Sequence, residues 1–236
     1  MTIHNREAFL TAISNQLNRP IKTKIDRPMW QFQPQHDILK DATQDELVDV
    51  LKKQCLNIHT LCSTATKASL ASTLQLIVKK LGGGSIITWK DDRYEQQFGL
   101  ATAFKQFEQH NISHYEWNEN TKAENIHQAE QANIGIVISE TTLAESASAV
   151  LYSDKNRGRT MNFLPENIIV LIPKSTIVPR ITQIATKLHQ QVQRGEKIPS
   201  CILFMSGPSN SADIEMVLIV GVHGPVKAHY IIVEDL

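Results

Sequence analysis

Apolar side chains recur at helical spacing three times in the first third of the chain. Phe9, Leu10, Ile13 and Leu17 form one stripe, which Pro20 ends. Thr43 and Glu46 have the spacing of a capping box, and Leu47, Val50, Leu51 and Ile58 repeat behind it at helical intervals. Leu70, Leu74, Ile77, Val78 and Leu81 make the third stripe, closed by three consecutive glycines, Gly82, Gly83 and Gly84. These glycines follow a helix and precede a strand, whereas phosphate-binding loops run from strand to helix, so they read as a helix C-terminal cap.

From Ser85 onward the pattern alternates. Strands are predicted at Ser85 to Trp89, His114 to Trp117, Ile134 to Ile138, Ile168 to Ile172, Cys201 to Met205 and His229 to Val233. Helices are predicted from Tyr94 to Glu108 and from Val178 to Val192. Alternation of this kind predicts an α/β fold in three layers, with a mostly parallel sheet and helices on both faces. The division expected is a helix and linker over residues 1–41, then an α/β domain over 42–236.

Composition narrows the function. Lysine and arginine number 24, as do aspartate and glutamate, so the net charge of zero argues against a nucleic-acid surface. No apolar run is long enough to span a membrane, and the first residues lack the basic start and apolar centre of a signal peptide, which points to the cytosol. The three cysteines, Cys55, Cys62 and Cys201, fit reduced thiols and contain no C-x-x-C pair. No metal site and no cofactor bound by this chain alone are therefore expected. Cys55, His59 and Cys62 fall at i, i+4 and i+7, the spacing of one helix face, and are read mainly as part of an amphipathic core face.

The densest stretch of candidate chemistry is SGPSNSADIEMVLIVGVHGP, Ser206 to Pro225. It follows a predicted strand and so begins at a strand's carboxyl end, the edge at which open α/β sheets bind ligands. Gly207 and Pro208 predict a tight turn. Ser209, Asn210 and Ser211 offer hydroxyls and backbone N–H groups to an oxygen-rich ligand. His223 lies between Gly221 and Gly224 as a candidate proton carrier, with Asp213 or Glu215 to orient it. The same residues are also ordinary turn chemistry, and Asp213 is equally a helix cap. A second stretch, Ser139 to Tyr152, sets Glu145 among the small residues Ser146, Ala147 and Ser148, where a carboxylate can act as a base or remain a solvated loop charge. Arg157 and Arg159 in DKNRGR can grip a carboxylate or phosphate.

SGPSNSADIE and GVHGP, in this order with a short apolar strand between them, resemble the signature of the LUD-domain family. Ala144 to Ser148 is similar to that family's Ala-Glu-Thr-Gly-Thr run. It keeps Glu145 and lacks the glycine, so the glycine-dependent backbone is not expected here. Asp154 to Arg159 followed by Leu164-Pro165 resembles the family's Arg-rich turn. The resemblance implies a fold similar to the NagB/RpiA/CoA-transferase group, with Glu145, Asp213 and His223 as catalytic candidates. Arg157, Arg159, Gly207, Ser209, Asn210, Ser211, Glu215 and Gly224 would then be the ligand-binding set. It also implies a part in oxidising L-lactate to pyruvate, beside two partner proteins that carry iron–sulfur clusters. A free-standing enzyme acting on a small acid, thioester or sugar phosphate is the alternative, as is a metabolite-binding regulatory module. The sequence does not decide whether this chain is itself catalytic.

Overall fold

Thr43 opens the first buried helix. Its hydroxyl accepts from Glu46 N at 3.3 Å and Glu46 Oε2 accepts from Thr43 N at 2.7 Å, so two N–H groups left over at the helix start are satisfied reciprocally. In the computed structural model, which describes residues 4–21, 24, 26, 28–109, 112–212 and 215–236, the chain divides into two units between Gln35 and His36. The first contains α1 (Arg6–Gln16), which buries no residue.

The second unit runs α2 (Gln44–Asn57), β1 (Thr60–Ala65), α3 (Lys67–Lys80), β2 (Ser85–Thr88), α4 (Arg93–Gln96), α5 (Ala101–Gln109), β3 (Ser113–Glu116), α6 (Lys122–Gln131) and β4 (Ile134–Ile138). It continues through β5 (Thr141–Leu143), β6 (Ser148–Ser153), β7 (Asn167–Pro173), β8 (Ile177–Val178), α7 (Ile181–Gln193), β9 (Cys201–Met205), β10 (Asn210–Ser211), β11 (Ile219–Val220) and β12 (Lys227–Val233). Six strands form one sheet in the order β1-β12-β7-β4-β2-β3, every pair parallel. Parallel sheets are covered on both faces, and β4, β7 and all of β12 after Lys227 are buried accordingly.

Adjacent strand residues point to opposite faces, which identifies what covers each. Cys62 meets Cys55 of α2, while its neighbour Ser63 bonds His229, the residue whose charge is opposed by Lys80 of α3. His114 stacks on Phe104 of α5, and its neighbour Tyr115 bonds Asn125 of α6. Thus α3 and α5 lie on one face, and α2 and α6 on the other. The second face also carries a four-stranded sheet in the order β8-β5-β6-β9, joined to β12 where the Tyr230 hydroxyl meets Ala147 O at 3.1 Å and Met205 O at 3.0 Å. The core between the layers is built from Ile, Val and Leu of β2, β4, β7 and β12.

Three expectations change. The helical face through Cys55, His59 and Cys62 does not exist: α2 ends at Asn57, His59 takes φ +54° and is exposed, and Cys62 belongs to β1. The Cys55 thiol is nonetheless raised, by its hydrogen bond with Cys62 and then by burial. The helix predicted from Tyr94 is two helices, broken where Gly99 adopts φ +67°. Finally, β9 is not in the parallel sheet but pairs antiparallel with β6. The triple-glycine cap does form: Gly82 N donates to Lys79 O and Gly83 N to Val78 O, all three glycines with positive φ.

Candidate functional site

The placement of β9 moves the Ser206 to Pro225 stretch. Ser209 N donates to Pro225 O, and Val226 N to Glu166 O, just before β12 and β7 begin. Gly207, at φ +80°, lies so close to Ile58 O and Thr60 Oγ1 that a Cβ would come within 2.6 Å of each. The loop therefore sits at the amino ends of β1, β7 and β12, opposite the edge where a ligand crevice was expected. Its polar groups largely hold its own shape. Gly221 N donates to Ser209 O, His223 N to Ser209 Oγ at 3.3 Å, and Asn210 Nδ2 to Pro208 O, while Asn210 and Ser211 pair with β11. A Cβ on Gly224 would touch Ser209. Glu215 and His223 are exposed, and Asp213 lies outside the described residues.

Glu145 belongs to a segment tied to the start of that loop, since Ser148 Oγ lies 2.6 Å from Ser206 Oγ and the Tyr230 hydroxyl bridges Gly207 N and Ala147 O. It occupies the β5–β6 turn, where Glu145 N donates to Pro179 O and Arg180 Nε lies 2.9 Å from Glu145 Oε2. The turn corrects one expectation: Ala147, where the related run has glycine, still adopts the left-handed conformation at φ +48°. Ala147 O accepts from the buried Tyr230 hydroxyl, which holds the turn in place. An L-residue held in this region is strained by roughly 1–2 kcal/mol. Ala147→Gly is accordingly expected to raise unfolding free energy by about 1 kcal/mol, after the entropy glycine gains in the unfolded chain is subtracted. Urea denaturation measures it, and a loss of stability would show that the turn is unstrained.

Arg157 lies at the other edge. The chain leaves β2 toward α5 on one face and leaves β4 toward β5 and β6 on the other, so the carboxyl ends of these two neighbouring strands flank the topological switch point of the sheet. Five charged side chains converge there. Arg93 binds Asp91 with Nε to Oδ1 at 2.9 Å and NH2 to Oδ2 at 2.6 Å, and the same NH2 reaches Glu140 Oε1 at 2.7 Å. Arg157 bonds the same Glu140 oxygen through NH1 and holds Asp154 Oδ2 through Nε at 2.8 Å. Burial would raise the Asp91 carboxyl, but Arg93 and Arg157 hold it below the usual range. Burial likewise disfavours charge on Arg93, and Asp91 and Glu140 more than offset it, so its pKa rises. Sequence reading singled out only Arg157 of these five. The signal available was KDDR, a run of charges directly after a buried strand.

The turn carrying Arg157 is fastened by two tryptophans. Trp89 Nε1 donates to Gly158 O at 3.2 Å and Trp117 Nε1 to Lys155 O at 3.1 Å, while Lys90 N donates to Asn156 O. Gly158 is required by space, because a Cβ there would lie 2.0 Å from the Trp117 ring. Arg159 starts the following 3₁₀ turn and is exposed. On one side of the turn a cavity of about 440 Å³ opens toward Lys90–Arg93, and on the other a cavity of about 560 Å³ opens toward Lys197–Ser200. Asp154, Asn156 and Arg157 line both. Structure thus groups the predicted residues into a loop at the amino edge, adjoined by the turn that carries Glu145 with Arg180, and Arg157 at the carboxyl edge. It does not bring all of them to one site. Among the described residues no group of three His, Cys, Asp or Glu side chains is placed to hold a metal ion, and no helix is long and apolar enough to cross a membrane.

Comparison with known proteins agrees with this fold. The chain is 49% identical over 236 residues to lactate utilization protein C of Geobacillus sp. (strain WCH70), covering 99% of this chain and 98% of that protein. It is 46% identical over 234 residues to lactate utilization protein C of Macrococcus caseolyticus (strain JCSC5402), with the same coverage of 99% and 98%. The crystal structure of a DUF162 family protein from Deinococcus radiodurans superposes with a TM-score of 0.55 over 81% of this chain and 99% of that one, at 12% identity, which supports the three-layer α/β fold. Residues 48–233 match the LUD domain, and the chain belongs to the LUD domain family.

Proposed function

We propose that this chain takes part in L-lactate utilisation, the oxidation of L-lactate to pyruvate, as an accessory or substrate-handling subunit. The observation that carries this reading is the near end-to-end similarity, 49% over 99% of the chain, to proteins named lactate utilization protein C. The charged crevice at the carboxyl edge of the sheet supports it, because this is where an open α/β sheet offers a ligand its fixed polar groups. Two iron–sulfur partner proteins carry the electrons in this reading. A cluster held by thiolates needs four of them, and this chain has three cysteines, with Cys55 buried in the core and Cys201 on β9.

Deleting the gene is expected to abolish growth on L-lactate and to spare growth on glucose. Normal growth of the deletion strain on lactate would overturn the role. Anaerobic affinity purification from lactate-grown cells is expected to recover cysteine-rich, iron-containing partners. A second reading, a free-standing enzyme on a small acid, draws on the two cavities flanking Arg157. Turnover of such an acid by the purified chain alone would favour it.

A further inference from the structure

The two cavities beside Arg157 differ in charge. The one toward Lys90–Arg93 is lined by three cations and three carboxylates, which cancel. The one toward Lys197–Ser200 is lined by Lys155, Arg157 and Lys197 against the single carboxylate of Asp154. That carboxylate is already spent. Its Oδ1 accepts from the backbone N–H groups of Asn156 and Arg157, and its Oδ2 from Arg157 Nε. Lys155 is paired with Glu119 at 2.8 Å, but Lys197 makes no ion pair among the described residues.

The same wall carries polar groups without partners. Ser153, the last residue of β6, is 4% exposed, and its hydroxyl has no hydrogen-bond partner. Asn156 Oδ1 is buried and lacks one as well. An unmet buried polar group costs on the order of 1–3 kcal/mol. A cavity that gathers such groups beside an unpaired ammonium is suited to a ligand that supplies what they lack. The complement is an anion, for Lys197 and the Ser153 O–H, next to a hydroxyl donor, for Asn156 Oδ1.

We infer that the cavity between the Asp154–Arg157 turn and Lys197–Ser200 is a binding subsite for a small 2-hydroxycarboxylate. The carboxylate sits toward Lys197 and the Ser153 hydroxyl, and the ligand hydroxyl donates to Asn156 Oδ1. This assignment deepens the lactate reading and rests on it. The 2-oxo acid formed by oxidation lacks the hydroxyl donor, so the subsite prefers the reduced acid and releases the oxidised one.

The test is backbone amide NMR of the purified full chain, titrated separately with L-lactate, pyruvate, propanoate and inorganic phosphate. L-Lactate is expected to bind with a Kd on the order of millimolar, as suits so few atoms. It should shift the amides of residues 153–157 and 197–200, with pyruvate and propanoate about fivefold weaker for want of one hydrogen bond. Lys197→Gln is expected to weaken lactate about tenfold, and Ser153→Ala about fivefold, with spectra otherwise unchanged. Absence of shifts at these amides, equal affinity of lactate and propanoate, or phosphate binding tighter than lactate would each overturn the assignment. The outcome separates from the proposed role. Binding as described in a protein whose deletion leaves lactate growth intact would overturn the role and keep the subsite. Lost growth without binding would keep the role and overturn the subsite.

Discussion

Arg93→Met is expected to destabilise the protein by about 3 kcal/mol, the low end for removing one partner of a buried ion pair. The Arg93 guanidinium supplies three of the four hydrogen bonds that hold the Asp91 carboxylate, the Arg93 backbone N–H the fourth, and the guanidinium makes one of the two that hold Glu140. The Asp91 side chain is only 10% exposed, and after the substitution its nearest cation would be Arg157, at 3.9 Å. Arg93 itself is 29% exposed, so water screens part of the effect and holds the loss to the low end. Two further readouts separate this cause from lost packing. Adding Asp91→Asn to the variant is expected to restore part of the stability, because it removes the uncompensated charge. The acid response also weakens. In the parent, the Asp91 pKa is depressed, so its contribution is present at neutral pH and lost as pH falls below the ordinary carboxylate range. In Arg93→Met the guanidinium bonds that oppose burial are gone and only the backbone N–H and the more distant Arg157 remain, so the depression shrinks and less stability is lost on acidification. A double variant no more stable than Arg93→Met would attribute the loss to packing.

A second large effect is expected from His229, and in a different pH window. This residue of β12 is 8% exposed, with Nε2 2.8 Å from Ser63 Oγ. Burial, and then the charge of Lys80, push its pKa down to about 4. An unfolded imidazole titrates near 6.5. Between these values the unfolded chain binds the proton and the folded chain does not, so stability rises with pH across this interval. The contribution is complete above about 6.5 and falls away toward 4, by about 3 kcal/mol in all. The Asp91 and Asp154 carboxyls, both depressed, act mainly below about pH 5, at the acidic end of that window. His229→Gln is therefore expected to flatten the dependence of unfolding free energy on pH between 6.5 and 4, while leaving the loss at more acidic pH. Guanidinium titrations at pH 7 and pH 5 measure it. An unchanged difference between the two would place the proton uptake on another group.

Much of the fold was legible in the sequence because its determinants are local. The capping box at Thr43 forms as its spacing predicts, and the strands Ile134 to Ile138 and Cys201 to Met205 match β4 and β9 end for end. Strand β1 was missed because TLCSTA mixes polar and apolar residues at an edge, without the apolar run that marks β4 or β7. The change at His59 from helix to strand depends on a single backbone torsion that no side-chain pattern announces. The antiparallel β5, β6 and β9 arrangement was missed for a different reason. Leu151 and Leu203, which face each other across it, lie far apart in the chain, and nothing local specifies that pairing.

The candidate site follows the same division. That Arg157 could bind an anion was readable from the residue itself, as were the tight turns at Gly207 and Gly224. Which edge of the sheet each would occupy was not, because an edge is defined by strand order and direction. Assigning β9 to the second sheet carried Ser209 and His223 to the amino ends of the parallel strands, and it left Arg157 beside Asp91, Arg93 and Glu140 at the carboxyl ends. The sequence by itself therefore determined the helices, the buried strands and the chemistry each residue can offer, since all of these depend on neighbours within a few positions. Only the tertiary structure decided which of those chemistries meet, because the charges at the switch point come from three separate loops that β2, β4 and β6 deliver to one place.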